Sequence, residues 1–330
     1  MKILLVRVSS LGDVLHNLPM VADILRHHPN ATIDWVVEEG YVSLVRLNPH
    51  VRKIIPFALR RWRKGLGKPE NRAEIKGFWR TLREEEYDLV FDTQGLLKTG
   101  IIMGAARVCR GGRKVGLANG SEGSGYEGAS RFFHTESIPL DPRTHAVARG
   151  RMVAGAALGY AVDTPPDFGL PPPEAANRPD WLPREDYAVF FHGTARDAKK
   201  WSADNWVATA QALAPMPVLL PWGSEGERLE AEALAARMPN ATVLPKLSMM
   251  DAVTLAQQAA LAVGVDTGLT HIAAAFYRPT VEIYADSPKW KTEGNWSPRI
   301  VNLGDKGAPP QASEVIAAAR RLLGPQLDDQ

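Results

Sequence analysis

Cysteine is nearly absent: Cys109 is the only one in 330 residues. That excludes a disulfide framework and any metal site built from thiolates, and a reducing compartment, the cytoplasm, is expected. Long apolar runs are missing too. No stretch approaches the roughly 18–20 residues that a membrane-spanning helix needs. The apolar start Met1-Lys-Ile-Leu-Leu-Val6 passes straight into Arg7 and a polar loop, so it reads as a first strand and not as a signal peptide. Charge of one sign is also lacking. The formal net charge is only +2, and without a recognisable binding module a nucleic-acid partner is not expected. There is no D-x-D carboxylate pair, no H-E-x-x-H and no G-x-S-x-G. Metal catalysis and acyl-serine chemistry therefore have no support, and neither a metal nor a cofactor is expected.

What is present alternates. Near-continuous apolar segments suited to buried parallel strands recur at Lys2–Val8, Thr32–Val37, Ile54–Phe57, Asp88–Phe91 and Lys114–Leu117. Stretches of helical spacing lie between most of them. Val14, Leu18, Val21 and Leu25 form one such pattern, with Pro19 marking a kink or a true start. A second series follows at Ala188–His192, Val218–Leu220, Thr242–Leu244, Leu261–Val265, Val281–Tyr284 and Val301–Leu303. Ser248 and Asp251 open a helix over Met249–Gln258, and a last helix covers Ser313–Leu323. This order predicts two Rossmann-like α/β domains facing each other across a cleft.

Prolines crowd between Thr164 and Arg184. The expected division is an N-terminal domain at 1–164, a linker at 165–184 and a C-terminal domain at 185–310. Residues 311–330 form a helix and tail that could pack back on the N-terminal domain. Gly116–Ser130, rich in glycine and serine, fits neither nucleotide-loop pattern and is expected to be a mobile loop.

The segment Leu261–His271 reads as a buried strand, a polar turn and the start of a small-residue helix. A helix N-terminus offers free amides and a positive dipole end to an anion. Gly268 permits close approach, Thr267 can donate to a phosphate oxygen, Asp266 can accept from sugar hydroxyls, and His271 can donate to an oxyanion. Asp266 and Thr267 could equally be plain helix caps. Three further places follow strands. Asp13 could act as a general base or cap its helix. Thr194 and Lys199 could hold a diphosphate or lie in a solvated loop. Glu227 could accept ribose hydroxyls or serve the dipole of a first helical turn. Between Arg52 and Lys76, only Glu70 and Glu74 stand against a run of lysines and arginines. That excess suits an anionic partner, whether nucleic acid, a membrane surface or an acidic acceptor sugar, or simply a solvated basic face.

Taken in order, Ser9-Ser-Leu-Gly-Asp-Val-Leu-His16, Asp34-Trp-Val-Val-Glu-Glu-Gly40, Arg60-Arg-Trp-Arg-Lys64, Leu220-Pro-Trp-Gly223, Leu244-Pro-Lys246 and Val265-Asp-Thr-Gly-Leu-Thr-His271 resemble the lipopolysaccharide heptosyltransferases of glycosyltransferase family nine. The resemblance runs nearly end to end. It implies a GT-B fold and an inverting, metal-independent transfer of L-glycero-D-manno-heptose from ADP-heptose to the first Kdo of Kdo2-lipid A. The alternatives are a heptosyltransferase II or III acting on an already heptosylated core, or a non-catalytic sugar-nucleotide-binding protein. It further implies Asp13 as catalytic base. Thr194, Ala195, Lys199, Glu227, Leu247, Asp266, Thr267, Gly268 and His271 would bind ADP-heptose, and Arg60, Arg61, Arg63 and Lys64 the acceptor. Such a protein would work peripherally on the cytoplasmic face of the inner membrane. Ala195 stands where the family pattern has a threonine, and Leu247 where it has a methionine.

Overall fold

Leucine and β-branched side chains fill the first strand, and Ile3, Leu4, Leu5 and Val6 are fully buried. A strand shut off from water on both faces needs helices above and below it, which is the setting of a parallel sheet. The computed structural model, which describes residues 1–65, 68–172, 179–194 and 196–324, meets that condition twice. The chain divides into two compact units, Met1–Gly169 and Leu170–Gln330.

The first unit carries β1 (Lys2–Val6), β2 (Thr32–Glu38), β3 (Val51–Phe57), β4 (Glu86–Asp92), β5 (Arg107–Leu117) and β6 (Glu136–Ile138). They form one parallel sheet in the order β3-β2-β1-β4-β5-β6. The helices are α1 (Leu11–His16), α2 (Pro19–His27), α3 (Val42–Arg46), α4 (Leu59–Arg63), α5 (Pro69–Leu82), α6 (Leu97–Ala105) and α7 (Ala146–Leu158). Pro19 occupies the first turn of α2, where its missing N–H costs nothing. It marks a start, and α1 is a separate short helix. One core cluster joins Leu4 and Val6 to Phe57, Trp62 and Phe78, and so anchors α4 through its single buried residue, Trp62.

The second unit carries β7 (Ala188–Phe191), β8 (Val218–Leu220), β9 (Ala241–Val243), β10 (Leu261–Val265), β11 (Thr280–Tyr284) and β12 (Ile300–Gly304). Its sheet is also parallel, in the order β12-β11-β10-β7-β8-β9. Its helices are α8 (Ala203–Leu213), α9 (Glu225–Ala235), α10 (Met249–Gln258), α11 (Gly268–Ala275) and α12 (Ala312–Leu323). In both units the first and fourth strands lie side by side and the order reverses between them. Loops leaving such a pair diverge, so each sheet is open for a ligand at the carboxyl ends of those two strands.

The structure adds to the sequence reading at three places. β6 was not foreseen, since three residues at a sheet edge carry too little pattern. Gly116–Ser130 is tied down instead of being a free loop. Tyr126 Oη donates to the carbonyls of Leu117 and Ala118 at 3.3 and 3.0 Å, and Glu127 N donates to Gly95 O at 2.8 Å. Helix α12 contributes to the second unit's core, where Val315, Ala318, Ala319 and Leu322 lie with Trp206 and Val281.

Candidate active site

In the first unit, β1 ends and the chain turns through Ser9 and Ser10 into α1. Asp13 sits in the first turn of that helix. The Ser10 amide and hydroxyl donate to Asp13 Oδ2 at 3.0 and 2.8 Å, so the capping alternative is realised by one carboxylate oxygen. The other, Oδ1, faces Arg7 Nη2 at 2.6 Å, and 36% of the side chain stays open to solvent. Burial by itself would raise this carboxyl. The Arg7 guanidinium, both Ser10 bonds and nearby His16 outweigh that effect and hold Asp13 well below the usual carboxylate range. It is ionised, as a proton acceptor must be.

Arg7 is placed by its own bonds. Its Nη1 donates to the Thr93 carbonyl just beyond β4, and its carbonyl accepts from Trp35 Nε1 at 3.1 Å. A second cation, half-buried Arg149 on α7, also acts on this spot. Burial, then repulsion from Arg7, pulls it down to about 10, and Asp13 partly offsets both. No motif marks Arg149 in the sequence.

The expected acceptor cations separate. Arg61 is committed to two carboxylates, Glu39 at 2.9 Å and Glu74 at 2.7 Å. Arg60 lies 5.8 Å from the Tyr41 ring centre, while Arg63 and Lys64 are exposed. Lys98, which sequence reasoning missed, joins this group. Its Nζ lies 3.4 Å from Ser9 Oγ. Burial first, then Arg60 and Arg63, lower its pKa, opposed by Glu38 and Glu127. Lys98 opens the helix after the fourth strand, the counterpart of the place that singled out Asp266.

In the second unit the pair of neighbouring strands is β7 and β10. Thr194 follows the first, half-buried, and Asp266-Thr267-Gly268 follows the second. Helix α11 is pressed onto β10. A Cβ on Gly264 would come 2.1 Å from Thr270 Oγ1, and that hydroxyl donates to Val265 O at 2.8 Å. Thr267 is the N-cap residue, yet its hydroxyl makes no cap bond. A plain capping role therefore does not account for it.

Asp266 is the centre of a chain of charges. Lys199 Nζ donates to its Oδ2. Its Oδ1 meets His271 Nε2 at 3.0 Å and Thr292 Oγ1 at 3.1 Å. His271 Nδ1 in turn meets Glu282 Oε1 at 2.9 Å. The other Glu282 oxygen accepts from Tyr284 Oη and from the Gly294 amide, each at 2.9 Å. Burial would drain the proton from His271, but Glu282 and then Asp266 push it up to about 10. Asp266 is held well below its ordinary value: burial opposes ionisation, and His271 and Lys199 override it. One expectation changes here. Both His271 ring nitrogens are engaged by carboxylates, so the ring orients Asp266 and is not aimed at an oxyanion. Glu282, missed in the sequence, holds that ring.

Glu227 occupies the third position of α9, where Oε2 accepts from the Gly223 and Ser224 amides at 2.7 and 3.0 Å. The capping role is real, and the side chain also lies against Gly193, whose added Cβ would sit 2.9 Å from Oε1. Leu247 is half-exposed between β9 and α10, and Trp222 Nε1 ties the two neighbouring loops through Leu244 O at 2.7 Å. Ala195 lies outside the described residues. Among the described residues no group of three or more His, Cys, Asp or Glu is placed to hold a metal ion.

Against known proteins, residues 75–317 match the profile of glycosyltransferase family 9 (heptosyltransferase). The chain is a member of that family. It is 39% identical over 307 residues to lipopolysaccharide heptosyltransferase 1 of Pseudomonas aeruginosa, covering 92% of this chain and 84% of that protein. The Escherichia coli K12 protein of the same name is 36% identical over 288 residues, with 86% and 88% covered. The solved E. coli heptosyltransferase WaaC with ADP superposes with a TM-score of 0.83 at 30% identity, covering 98% of this chain and 100% of that one. The E. coli ADP-heptose heptosyltransferase II shares the fold at 20% identity, TM-score 0.75, over 98% of each chain. The two parallel six-stranded sheets are thus those of a GT-B glycosyltransferase.

Proposed function

We propose that this family member transfers L-glycero-D-manno-heptose from ADP-heptose to the first Kdo of Kdo2-lipid A, with inversion and with no metal ion required. The reading rests above all on the Lys199–Asp266–His271–Glu282 chain beside the N-terminus of α11. It offers a lysine ammonium and a row of helix amides to a diphosphate, beside a carboxylate held by His271. The support from relatives is the name heptosyltransferase 1 on proteins 36–39% identical. A solved WaaC complex with ADP-2-deoxy-2-fluoro heptose, 32% identical with TM-score 0.76, points to the same donor.

In this reading the acceptor oxygen attacks the anomeric carbon in line with the departing ADP, through a transition state of oxocarbenium character. Asp13 takes the acceptor proton. Lys199 and the amides of α11 receive the charge that grows on the diphosphate. Glu227 accepts from ribose, Thr194 and Thr267 donate to phosphate oxygens, and Leu247 lies against the base. Arg60, Arg63 and Lys98 meet acceptor carboxylates and phosphates, with Lys64 at the edge. Arg61 holds α4 in place. The protein would work peripherally at the cytoplasmic face of the inner membrane.

The deciding assay offers ADP-heptose with either Kdo2-lipid A or a mono-heptosylated acceptor in the presence of EDTA, read by mass. A heptose added to Kdo2-lipid A alone supports the reading. Addition only to the heptosylated acceptor moves the protein to heptosyltransferase II or III.

A further inference from the structure

Among the described residues seven large hydrophobic side chains are exposed: Met1, Leu97, Ile101, Phe132, Met152, Leu229 and Tyr277. Three of the seven gather on two packed elements of the first unit. Leu97 and Ile101 are one turn apart on α6, and each is 43% exposed. Phe132 belongs to the 3₁₀ turn Gly128–Phe133, which packs along α6.

Two glycines explain the close packing. A Cβ on Gly100 or Gly104 would stand 2.8 or 2.5 Å from the Phe133 ring. Phe133 therefore lies flat against the helix, and Phe132 beside it is thrown outward, 88% exposed. The Glu127 carboxylate accepts from the Leu97 amide and pins the approach to the turn at the same end of the helix. The protruding ring is thus held by a built scaffold.

Cations flank the patch. Arg131 is exposed next to Phe132. Lys98 follows Leu97, reaches Ser9 Oγ at 3.4 Å, and shares its surroundings with Arg60 and Arg63. Through Lys98 the patch adjoins the Ser9–Ser10 turn that leads into α1 and Asp13. An aromatic wedge with a basic shoulder is the composition of an interfacial anchor on an anionic bilayer. A second copy of the chain fits less well. A stable protein interface buries about 800 Å² per partner, more than three side chains supply, and a lone protruding ring suits a deformable surface better than a rigid one.

We propose that Phe132, Leu97 and Ile101 seat the first unit on an anionic lipid bilayer, with Phe132 entering the headgroup boundary. This rests on the reading that the acceptor is lipid-linked. The patch then delivers the sugar of such an acceptor to Asp13 along Lys98 and the basic stretch of α4.

The test uses the full chain and its Phe132→Ser and Ile101→Ser variants in co-sedimentation. The vesicles are phosphatidylcholine with or without phosphatidylglycerol. Wild type should bind the anionic vesicles. Phe132→Ser should weaken that binding about tenfold or more, the scale of losing one buried aromatic. Ile101→Ser should weaken it less. Both variants should keep wild-type ADP affinity and wild-type turnover on a deacylated, water-soluble acceptor, while KM for vesicle-borne acceptor rises. Unchanged sedimentation of Phe132→Ser overturns the proposal. So does a wild-type dimer that the variant converts to monomer in analytical ultracentrifugation. If vesicle binding depends on Phe132 but no acceptor is heptosylated, the membrane surface stands and the transfer reading fails.

Discussion

Arg7 and Asp13, six residues apart, meet at 2.6 Å across the mouth of the first sheet. The pair keeps the carboxylate ionised at the cost of basicity, since a base is most effective when its pKa lies near the working pH. Asp13→Asn should lower kcat by about 10²- to 10⁴-fold, the range of general base catalysis, with ADP-heptose affinity unchanged. Single-turnover rates and calorimetry would show it. Near-normal turnover removes Asp13 from the role.

Arg7→Gln gives the companion result in pH. Asp13 is depressed in the folded protein, so its contribution to stability is present above the unfolded value, about 3.9, and is lost as pH falls below it. With Arg7 gone, burial is less opposed and the pKa rises. The acid limb of kcat/KM should move to higher pH in Arg7→Gln. A profile superposable on wild type would show that Asp13 does not titrate in the reaction.

His271 gives the opposite sign. Its pKa is raised from about 6.5 in an unfolded chain to about 10. Its stabilising share is therefore full below pH 6.5 and is lost as pH rises through 10. Denaturant midpoints should fall between pH 7 and 10. Glu282→Gln removes the strongest raising influence. It should cost about 3–5 kcal/mol, as breaking a buried pair does, and the remaining pH dependence should end at a lower pH.

Lys199→Ala deletes a charged hydrogen bond, worth about 1.5–3 kcal/mol. ADP should bind roughly 10- to 100-fold more weakly by calorimetry, and stability without ADP should fall less than in Glu282→Gln, because Asp266 keeps His271. Equal ADP affinity would leave Lys199 as a structural partner of Asp266.

Glu227 separates capping from binding. Glu227→Gln retains an oxygen for the Gly223 and Ser224 amides, so the melting temperature should hold. A lost ribose contact should still raise the donor KM several-fold. Glu227→Ala should also lose about 1 kcal/mol of helix-cap stability. Unaltered donor KM in Glu227→Gln would reduce the residue to a cap.

Much of this was legible because apolar runs end at chemically explicit caps. Ser248 and Asp251 fixed α10, and the residues Leu261–Val265 announced β10 by composition alone. The site was half legible. Asp13, Asp266 and Lys199 follow strands, where topology concentrates ligands. The fate of Arg61 depends on Glu39 and Glu74, which come from elements with no shared period in sequence. Glu282 carried a signal that was passed over, a lone carboxylate within the wholly buried strand Thr280–Tyr284, where an unpaired charge would be prohibitively costly.

Lys199, Asp266, His271 and Glu282 together carry as much positive as negative charge. Those four side chains by themselves therefore add no net charge to steer a diphosphate from a distance, and the positive end of α11 is left to do so. If ADP-heptose binds here as proposed, the hold of Lys199 would begin on arrival, when its ammonium exchanges the Asp266 carboxylate for a phosphoryl oxygen. In that reading, recognition at this edge would be an exchange of partners.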